Sequence, residues 1–458
     1  MLDRNFTLKE NYTDFLVSFF DACNKSTIKY GVLRNYDQLP FSTAGSDIDI
    51  LVENSKAEEF IDILVTISKQ FSARVIVYYQ SGFFYRLCLC NPDINDGWGI
   101  QFDIHTNETY KGLAFYSVEK IFQRLIFLNN IKVVNEHDAM VLAFFKECLS
   151  NGVSRKNYLE ESRKSFAQDE KYFFDIFVFY FGYKIALRWV NFFNDQEAPI
   201  VSESLINKTR HQILIRNFIR QPVGSIKSKI EYHFDRVQRV FKPIGFTLAV
   251  LGTDGSGKTT IINKVRPIIE QALHSKINYQ HMRPNFIPSI ASLFGKKVVT
   301  SGMPVDNPHE SSTSGIFGSL IRLSYYSIDY TLGFMMKIYI SIIKKPNLVV
   351  FDRYYYDYIT DPKRSRINLP RSWVAFFLFF FPKPNLVICL GADPKVIVSR
   401  KAELPIDEVS NQVESLQLLS QKVSNAYWVD TGVDIDSSAG EALELLTRQM
   451  SNRYKNIL

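Results

Sequence analysis

The chain has 458 residues, of which 46% are apolar and 22% charged, and a formal net charge of +7. That length exceeds one ordinary domain and that composition buries real cores, which excludes a fibrous chain or one disordered over long stretches. The mild, diffuse positive charge suits phosphorylated substrates or a membrane surface and does not call for nucleic acid. The 5 cysteines are scattered, which excludes a disulfide framework or a zinc site and suits a reducing cytoplasm.

The opening MLDRNFTLKENYTDF carries charge where the apolar core of a secretory leader should lie, so no signal peptide is expected. Phe15, Leu16, Phe19 and Phe20 have helical spacing, and Tyr30 to Leu33 reads as a strand. After the turn-rich Arg34 to Gly45, Ser46 to Val52 alternates with period two. Asp47 and Asp49 therefore share one strand face, where two carboxylates can hold a divalent metal. A second alternating strand, Trp98 to His105, carries Asp103 in its middle, with His105 on the same face.

From Ala114 to Thr209 the pattern is mostly helical, with aromatics at three-to-four spacing over His137 to Leu149 and Glu170 to Phe193. Such a stripe reads as core, and the stretch as a helical connector. Gln212 to Pro243 is basic and aromatic: Arg216, Arg220, Lys227, Lys229, Arg236, Arg239 and Lys242 alternate with Phe218, Tyr232, Phe234 and Phe241. It reads as a solvated helix face or, more sharply, as a surface for an anionic membrane or acidic polymer.

A buried strand from Phe246 to Leu251 then runs into Gly252-Thr253-Asp254-Gly255-Ser256-Gly257-Lys258-Thr259-Thr260, followed by a helical pattern. This is P-loop spacing. Glycines let backbone N–H groups turn inward around phosphate oxygens, the helix N-terminus adds positive potential, Lys258 reaches the β and γ phosphates, and Thr259 offers its hydroxyl to Mg²⁺. ATP and Mg²⁺ are the implied cofactors. Beyond it, Arg283 ends a strand, segment 295–314 reads as a loop, and Ile316 to Lys344 reads as helix. An apolar strand ends at Asp352-Arg353; set parallel to the P-loop strand, it brings Asp352 beside Thr259 and Arg353 toward the same phosphates. Tyr354, Tyr355, Tyr356 and Tyr358, with Lys363, Arg364 and Arg366, read as an aromatic and cationic wall for an acceptor. Val374 to Phe381 is too short to span a bilayer and reads as the buried end of a helix on a sheet. Another strand, Asn385 to Leu390, leads to Asp393 and the helical Val396 to Lys401.

Two resemblances follow from these residues. Asp47, Asp49 and Asp103, over Tyr30 to Thr106, resemble the nucleotidyltransferase superfamily, which implies a second metal-dependent site. The family's phosphate-binding Gly-Ser pair is absent from its usual place well before the acids, where Arg34 stands instead. GTDGSGKTT, the DRY at Asp352 to Tyr354, the PNLVICLGADP strand and Arg400-Lys401 resemble thymidylate kinases and related nucleoside monophosphate kinases from Phe246 onward. That likeness implies that Asp254 contacts the acceptor sugar, Arg353 and Arg283 the acceptor phosphate, Asp352 the metal and acceptor, and that Arg400 belongs to a lid closing on ATP. The HMRP at His281 and the DRYYYD at Asp352 depart from the residues that frame a thymine base. They are similar to thymidylate-kinase-like proteins of bacterial surface-polysaccharide clusters.

The expectation is thus an α/β chain in three parts. A nucleotidyltransferase-like α+β domain spans 1–125, a helical connector with the basic segment spans 126–243, and a P-loop kinase with a parallel sheet flanked by helices spans 244–458. The expected reaction is γ-phosphoryl transfer from MgATP to a sugar, glycan or nucleotide-type acceptor in the cytoplasm, without a nucleic-acid partner. A dTMP or other nucleoside monophosphate kinase is the first alternative, and an ATP-binding regulatory or defence module the second. Peripheral membrane association and oligomerisation stay open.

Overall fold

The computed structural model describes residues 12–195, 198, 200–284, 286–287, 315–361 and 367–457. Segment 295–314, Lys363, Arg364 and Arg366 lie outside the described residues. The chain divides into two compact units, Met1–Leu89 with Ile100–Phe241 and Ile457–Leu458, and Cys90–Gly99 with Lys242–Asn456.

In the first unit, helix α1 (Thr13–Lys25) buries Phe15, Leu16, Phe19 and Phe20 along one face, as their spacing predicts. The strands are β1 (Tyr30–Val32), β2 (Ile48–Val52), β3 (Arg74–Ser81), β4 (Phe84–Asn91), β5 (Trp98–His105), the short ribbon of β6 (Thr109–Tyr110) and β7 (Leu113–Ala114), β8 (Ile126–Leu128) and β9 (Ile131–Val133). Seven of them form a mixed sheet in the order β3-β4-β5-β2-β1-β9-β8. The parallel register of β2 and β5 puts Asp49 opposite Asp103. Helix α2 (Ala57–Gln70) and the short α3 (Val118–Phe122) complete this layer.

Five long helices and one more follow: α4 (Glu136–Asn151), α5 (Lys156–Gln168), α6 (Glu170–Phe181), α7 (Tyr183–Asn194), α8 (Glu203–Arg220) and α9 (Pro222–Phe241). Their aromatic stripes interlock as core: Phe145 meets Trp189 edge-on at 4.7 Å, and Phe166 stacks on Phe193 at 4.7 Å. This cluster also takes in Leu33, Leu51 and Leu113 of the sheet layer. The helices read as a connector therefore pack into the same unit as the sheet, because an apolar face that wide must be buried against something. The basic segment is interrupted at Pro222, as the sequence suggests, but its first half is helical as well as its second. The break falls at Gln221, and Pro222, with no N–H to give, opens α9.

The second unit is built on β10 (Phe246–Gly252), every residue of which is buried. With β11 (Asn278–His281), β12 (Leu348–Asp352), β13 (Leu386–Gly391) and β14 (Ala426–Asp430) it makes a parallel sheet in the order β11-β12-β10-β13-β14. Helix α10 (Lys258–Leu273) follows β10, and helices Ile316–Gly333, Ile406–Lys422 and Ile435–Asn452 flank the sheet. The apolar strands of a two-sided parallel sheet are what the runs at 246–251, 347–352 and 385–390 spell.

Two sequence expectations fail here. Val374 to Phe381 is not buried: Val374 and Phe381 pack inward, but Phe376, Phe379 and Phe380 are exposed. The run is a short helix and a 3₁₀ turn, so only one side of it can meet the core. The four tyrosines do not form a wall. Tyr354, Tyr355, Tyr356 and Tyr358 are all buried in one aromatic cluster, in which Tyr354, Tyr355 and Tyr358 pack on Tyr330 and Tyr356 packs on Tyr355.

Candidate functional site

The second unit's site forms where β10 and β12 end side by side. Gly255 and Gly257 hold φ values of +87° and +84°, a left-handed backbone that side chains resist and that wraps the loop around its centre. At Gly252 the constraint is space: a Cβ would press on Ser256 Oγ and lie 2.8 Å from the Leu390 carbonyl oxygen. The loop hands over to α10 at Lys258, whose Nζ donates to the carbonyl oxygens of Gly252 and Thr253, each at 2.9 Å.

A cavity of about 480 Å³ opens on this loop. It is lined by Asp254, Gly255, Gly257, Lys258, Thr259 and Thr260 from the loop and α10, by His281, Asp352 and Arg353 from the strand ends, and by Arg400, Lys401 and Thr431 from beyond β13. Ser256, buried beneath the loop, has an Oγ with no hydrogen-bond partner among the described residues. The lining is cationic on balance, as a polyphosphate requires.

Asp352 sits at the end of β12 opposite Val250 of β10, the parallel juxtaposition that the sequence predicts. Tyr279 Oη donates to its Oδ2, and His281 Nδ1 lies 3.7 Å from the same oxygen. Burial alone would raise its carboxyl; His281, Tyr279 and the Lys258 charge hold it below the usual carboxylate range. Its other oxygen, Oδ1, is buried and has no hydrogen-bond partner among the described residues. With the exposed Thr259 on the same cavity, this orphaned oxygen fits a hard divalent cation such as Mg²⁺.

Arg353 follows with a φ of +69°, a strained left-handed backbone for a side chain of that size. The strain is held by charge. Its guanidinium, nearly fully buried, donates through Nη2 to Asp254 Oδ1 at 2.5 Å and through Nη1 to Asp357 Oδ2 at 3.5 Å. Asp254 is on the P-loop, so this pair clamps the loop to the end of β12. Arg400 donates to the Thr431 carbonyl oxygen at 2.9 Å and remains exposed at the cavity edge.

Arg283 is placed differently. It is not among the cavity's lining residues; its Nη1 donates to Asp329 Oδ2 at 3.3 Å, and its guanidinium lies 4.7 Å from the centre of the Tyr326 ring. Asp329 also accepts from the backbone N–H of Phe286 and Ile287, so this network ties the chain after β11 to the Ile316–Gly333 helix.

Burial, with Arg353 nearby, pushes the Lys258 ammonium down to about 8. A phosphate-binding lysine works in its charged form, which prevails below its pKa. Nucleotide affinity should therefore be level below about pH 8 and weaken above it by up to about tenfold per pH unit. Calorimetric titration with an ATP analogue from neutral to alkaline pH checks this; an affinity that stays flat through that range excludes Lys258 as the titrating contact.

In the first unit, Asp47, Asp49 and Asp103 do come together, each offering an oxygen within 4.8 Å of the others. All three already have partners: Gln101 Nε2 donates to Asp47 Oδ2 at 3.5 Å. Arg34 Nε donates to Asp49 Oδ2 at 2.6 Å, His105 Nε2 lies 3.4 Å from Asp49 Oδ1, and Arg86 forks onto both oxygens of Asp103 at 2.7 and 2.5 Å. These neighbours keep the Asp49 carboxyl well below the usual range despite its burial. A divalent ion here would compete with two guanidinium groups for the carboxylate charge. Arg34, assigned from the sequence to a phosphate, is spent on Asp49.

Sequence reasoning passed over Asp357, Tyr279 and Asp329. Asp357 was legible as the acid four residues after Arg353. Tyr279 and Asp329 carry no local signal, since strand pairing and helix packing bring them to Asp352 and Arg283.

No family model matches the chain. Over 153 residues, 33% of this chain and 68% of the relative, it is 26% identical to a probable thymidylate kinase 1 of Saccharolobus solfataricus. Over 190 residues, 41% of this chain and 83% of the relative, it is 24% identical to a probable thymidylate kinase of Staphylothermus marinus. Among solved structures, thymidylate kinase from Ehrlichia chaffeensis aligns at a TM-score of 0.30 and 15% identity, covering 44% of this chain and 98% of that one. Thymidylate kinase from Candida albicans aligns at 0.33 and 18%, covering 45% and 93%.

Proposed function

We propose that the second unit is an ATP-dependent nucleotide kinase that moves the γ-phosphoryl group of MgATP to a nucleoside monophosphate. The observation that carries the reading is the clamp of Asp254, Arg353 and Asp357, which holds a buried guanidinium at the edge of a P-loop. A module that only binds ATP has no need of it. The sequence reading put a sugar or glycan acceptor first. The similarity to proteins named as thymidylate kinases supports the nucleotide alternative better, and burial of the four tyrosines removes the aromatic part of the acceptor wall that the sequence suggested.

In this reading the P-loop amides and Lys258 bind the β and γ phosphates of the donor. Thr259 and Asp352 would hold Mg²⁺, which would offset the negative charge of the triphosphate. Arg353 orients the acceptor phosphate and offsets the charge that spreads over the equatorial oxygens in transit, and Arg400 adds to this from the cavity edge. An acceptor phosphate oxygen forms the new bond to the γ-phosphorus as the bond to the β,γ-bridging oxygen breaks, releasing ADP. The acceptor is already anionic near neutral pH, so no general base is required.

Mass spectrometry of products from Mg-ATP with a panel of nucleoside monophosphates, and separately with sugars and glycans, tests the assignment. The expected result is a gain of one phosphoryl group on one or more monophosphates. A gain confined to a sugar or glycan overturns the acceptor class, and no transfer to either with intact ATP binding overturns the kinase.

A further inference from the structure

Helix α9 is packed the wrong way round for a soluble helix. Its 20 residues run about 30 Å. The side turned to the rest of the first unit carries buried Ser225 and half-buried Tyr232 and Arg239; Arg239 lies 4.9 Å from the Tyr79 ring of β3, and Tyr232 stands over Gly112 in the β6–β7 turn. The opposite side is apolar. Val223, Ile226, Ile230, Phe234, Val237 and Phe241 fall on one continuous stripe and are between 50% and 78% exposed. A stripe of this extent on an exposed surface marks a binding face.

The charges beside the stripe decide what it binds. At 100° per residue, Lys227 falls on one edge, Lys229 and Arg236 on the other, and Lys242 follows the C-terminal end. The helix has two acids near them. Glu231 is 3.8 Å from Lys227, and Asp235 lies half-buried toward the packed side. Two copies of the stripe laid against each other would bring bases on both edges into opposition with little acid to answer them. An anionic lipid surface meets both demands. The stripe enters the acyl boundary, and the flanking lysines and arginine reach outward to headgroup phosphates. Among the described residues no helix is long and apolar enough to cross a membrane.

We infer that α9 is an in-plane anchor that seats this protein on an anionic lipid bilayer. The full-length chain should co-sediment with vesicles of phosphatidylcholine plus phosphatidylglycerol, far less with phosphatidylcholine alone, and lose binding as salt rises. The double variant Ile230→Glu/Phe234→Glu should weaken partitioning by about tenfold or more, and Lys229→Glu/Arg236→Glu by a similar factor on anionic vesicles only. All four positions lie outside the core, so unchanged circular dichroism and melting are expected. No partition into anionic vesicles, or equal partition by wild type and both variants, overturns the inference. So does a dimer in sedimentation velocity that the Ile230→Glu/Phe234→Glu variant abolishes, since a second copy would then be the occupant.

Discussion

Lys258→Ala is expected to lower phosphoryl transfer by about 10³-fold or more while leaving the melting of the second unit almost unchanged. The two halves of that result come from one geometry. Lys258 stands at the first position of α10, with its ammonium held over the P-loop by the Gly252 and Thr253 carbonyl oxygens, where a transferring phosphoryl group accumulates charge. For stability, removing the side chain gives up two hydrogen bonds to backbone, but it also relieves the burial that already pushes this ammonium down to about 8. These effects oppose one another, and the loop's shape rests on Gly255 and Gly257 rather than on the lysine. Steady-state transfer with ATP, beside a thermal melt, reads both. A variant within about tenfold of wild type, folded and turning over, sinks the role of Lys258 and with it the kinase reading.

Arg353→Ala should fail on both counts, losing about 10³-fold in transfer and destabilising the second unit by roughly 3–5 kcal/mol. Arg353 is the cation shared by half-buried Asp254 and buried Asp357, so its loss leaves both carboxylates without that common counter-charge. Two companion variants separate charge from strain. Adding Asp357→Asn to Arg353→Ala should recover much of the lost stability without recovering transfer, because it removes one orphaned charge and restores no catalytic group. Arg353→Gly should be more stable than Arg353→Ala by about 1 kcal/mol, because glycine accepts the +69° φ that alanine resists. Urea unfolding of the second unit checks the ordering. Equal stability of the alanine variant and wild type would mean that the Asp254–Arg353–Asp357 array is not what holds the P-loop to β12.

What could be read in the linear chain was what depends on neighbours in sequence. A P-loop needs glycine at Gly255 and Gly257 because the backbone there is left-handed, so the motif is its own structural argument. Apolar runs ending in Asp352 and at Leu390 declare buried parallel strands because a sheet covered on both faces has no polar side to alternate with. The helical stripes of α1, α4, α6 and α7 were likewise legible from spacing alone.

Partners and exposure were decided only in three dimensions. The pairing of β11 with β12 put Tyr279 against Asp352, across a separation in sequence that no local pattern encodes. Arg34 was open to a phosphate until the sheet laid it on Asp49, where proximity in a poorly solvated place makes ion pairing the better option; Arg86, which carried no sequence signal, pairs with Asp103 in the same way. The same holds for the apolar residues that misled. Composition says that an aromatic run seeks burial, but it does not say which side of a short helix faces the core. Tyr354 to Tyr358 went inside, Phe376, Phe379 and Phe380 stayed out, and α9 turned its polar side inward. Hydrophobic burial is non-directional, so its amount is written in the sequence, whereas the choice among competing apolar surfaces belongs to the packed chain.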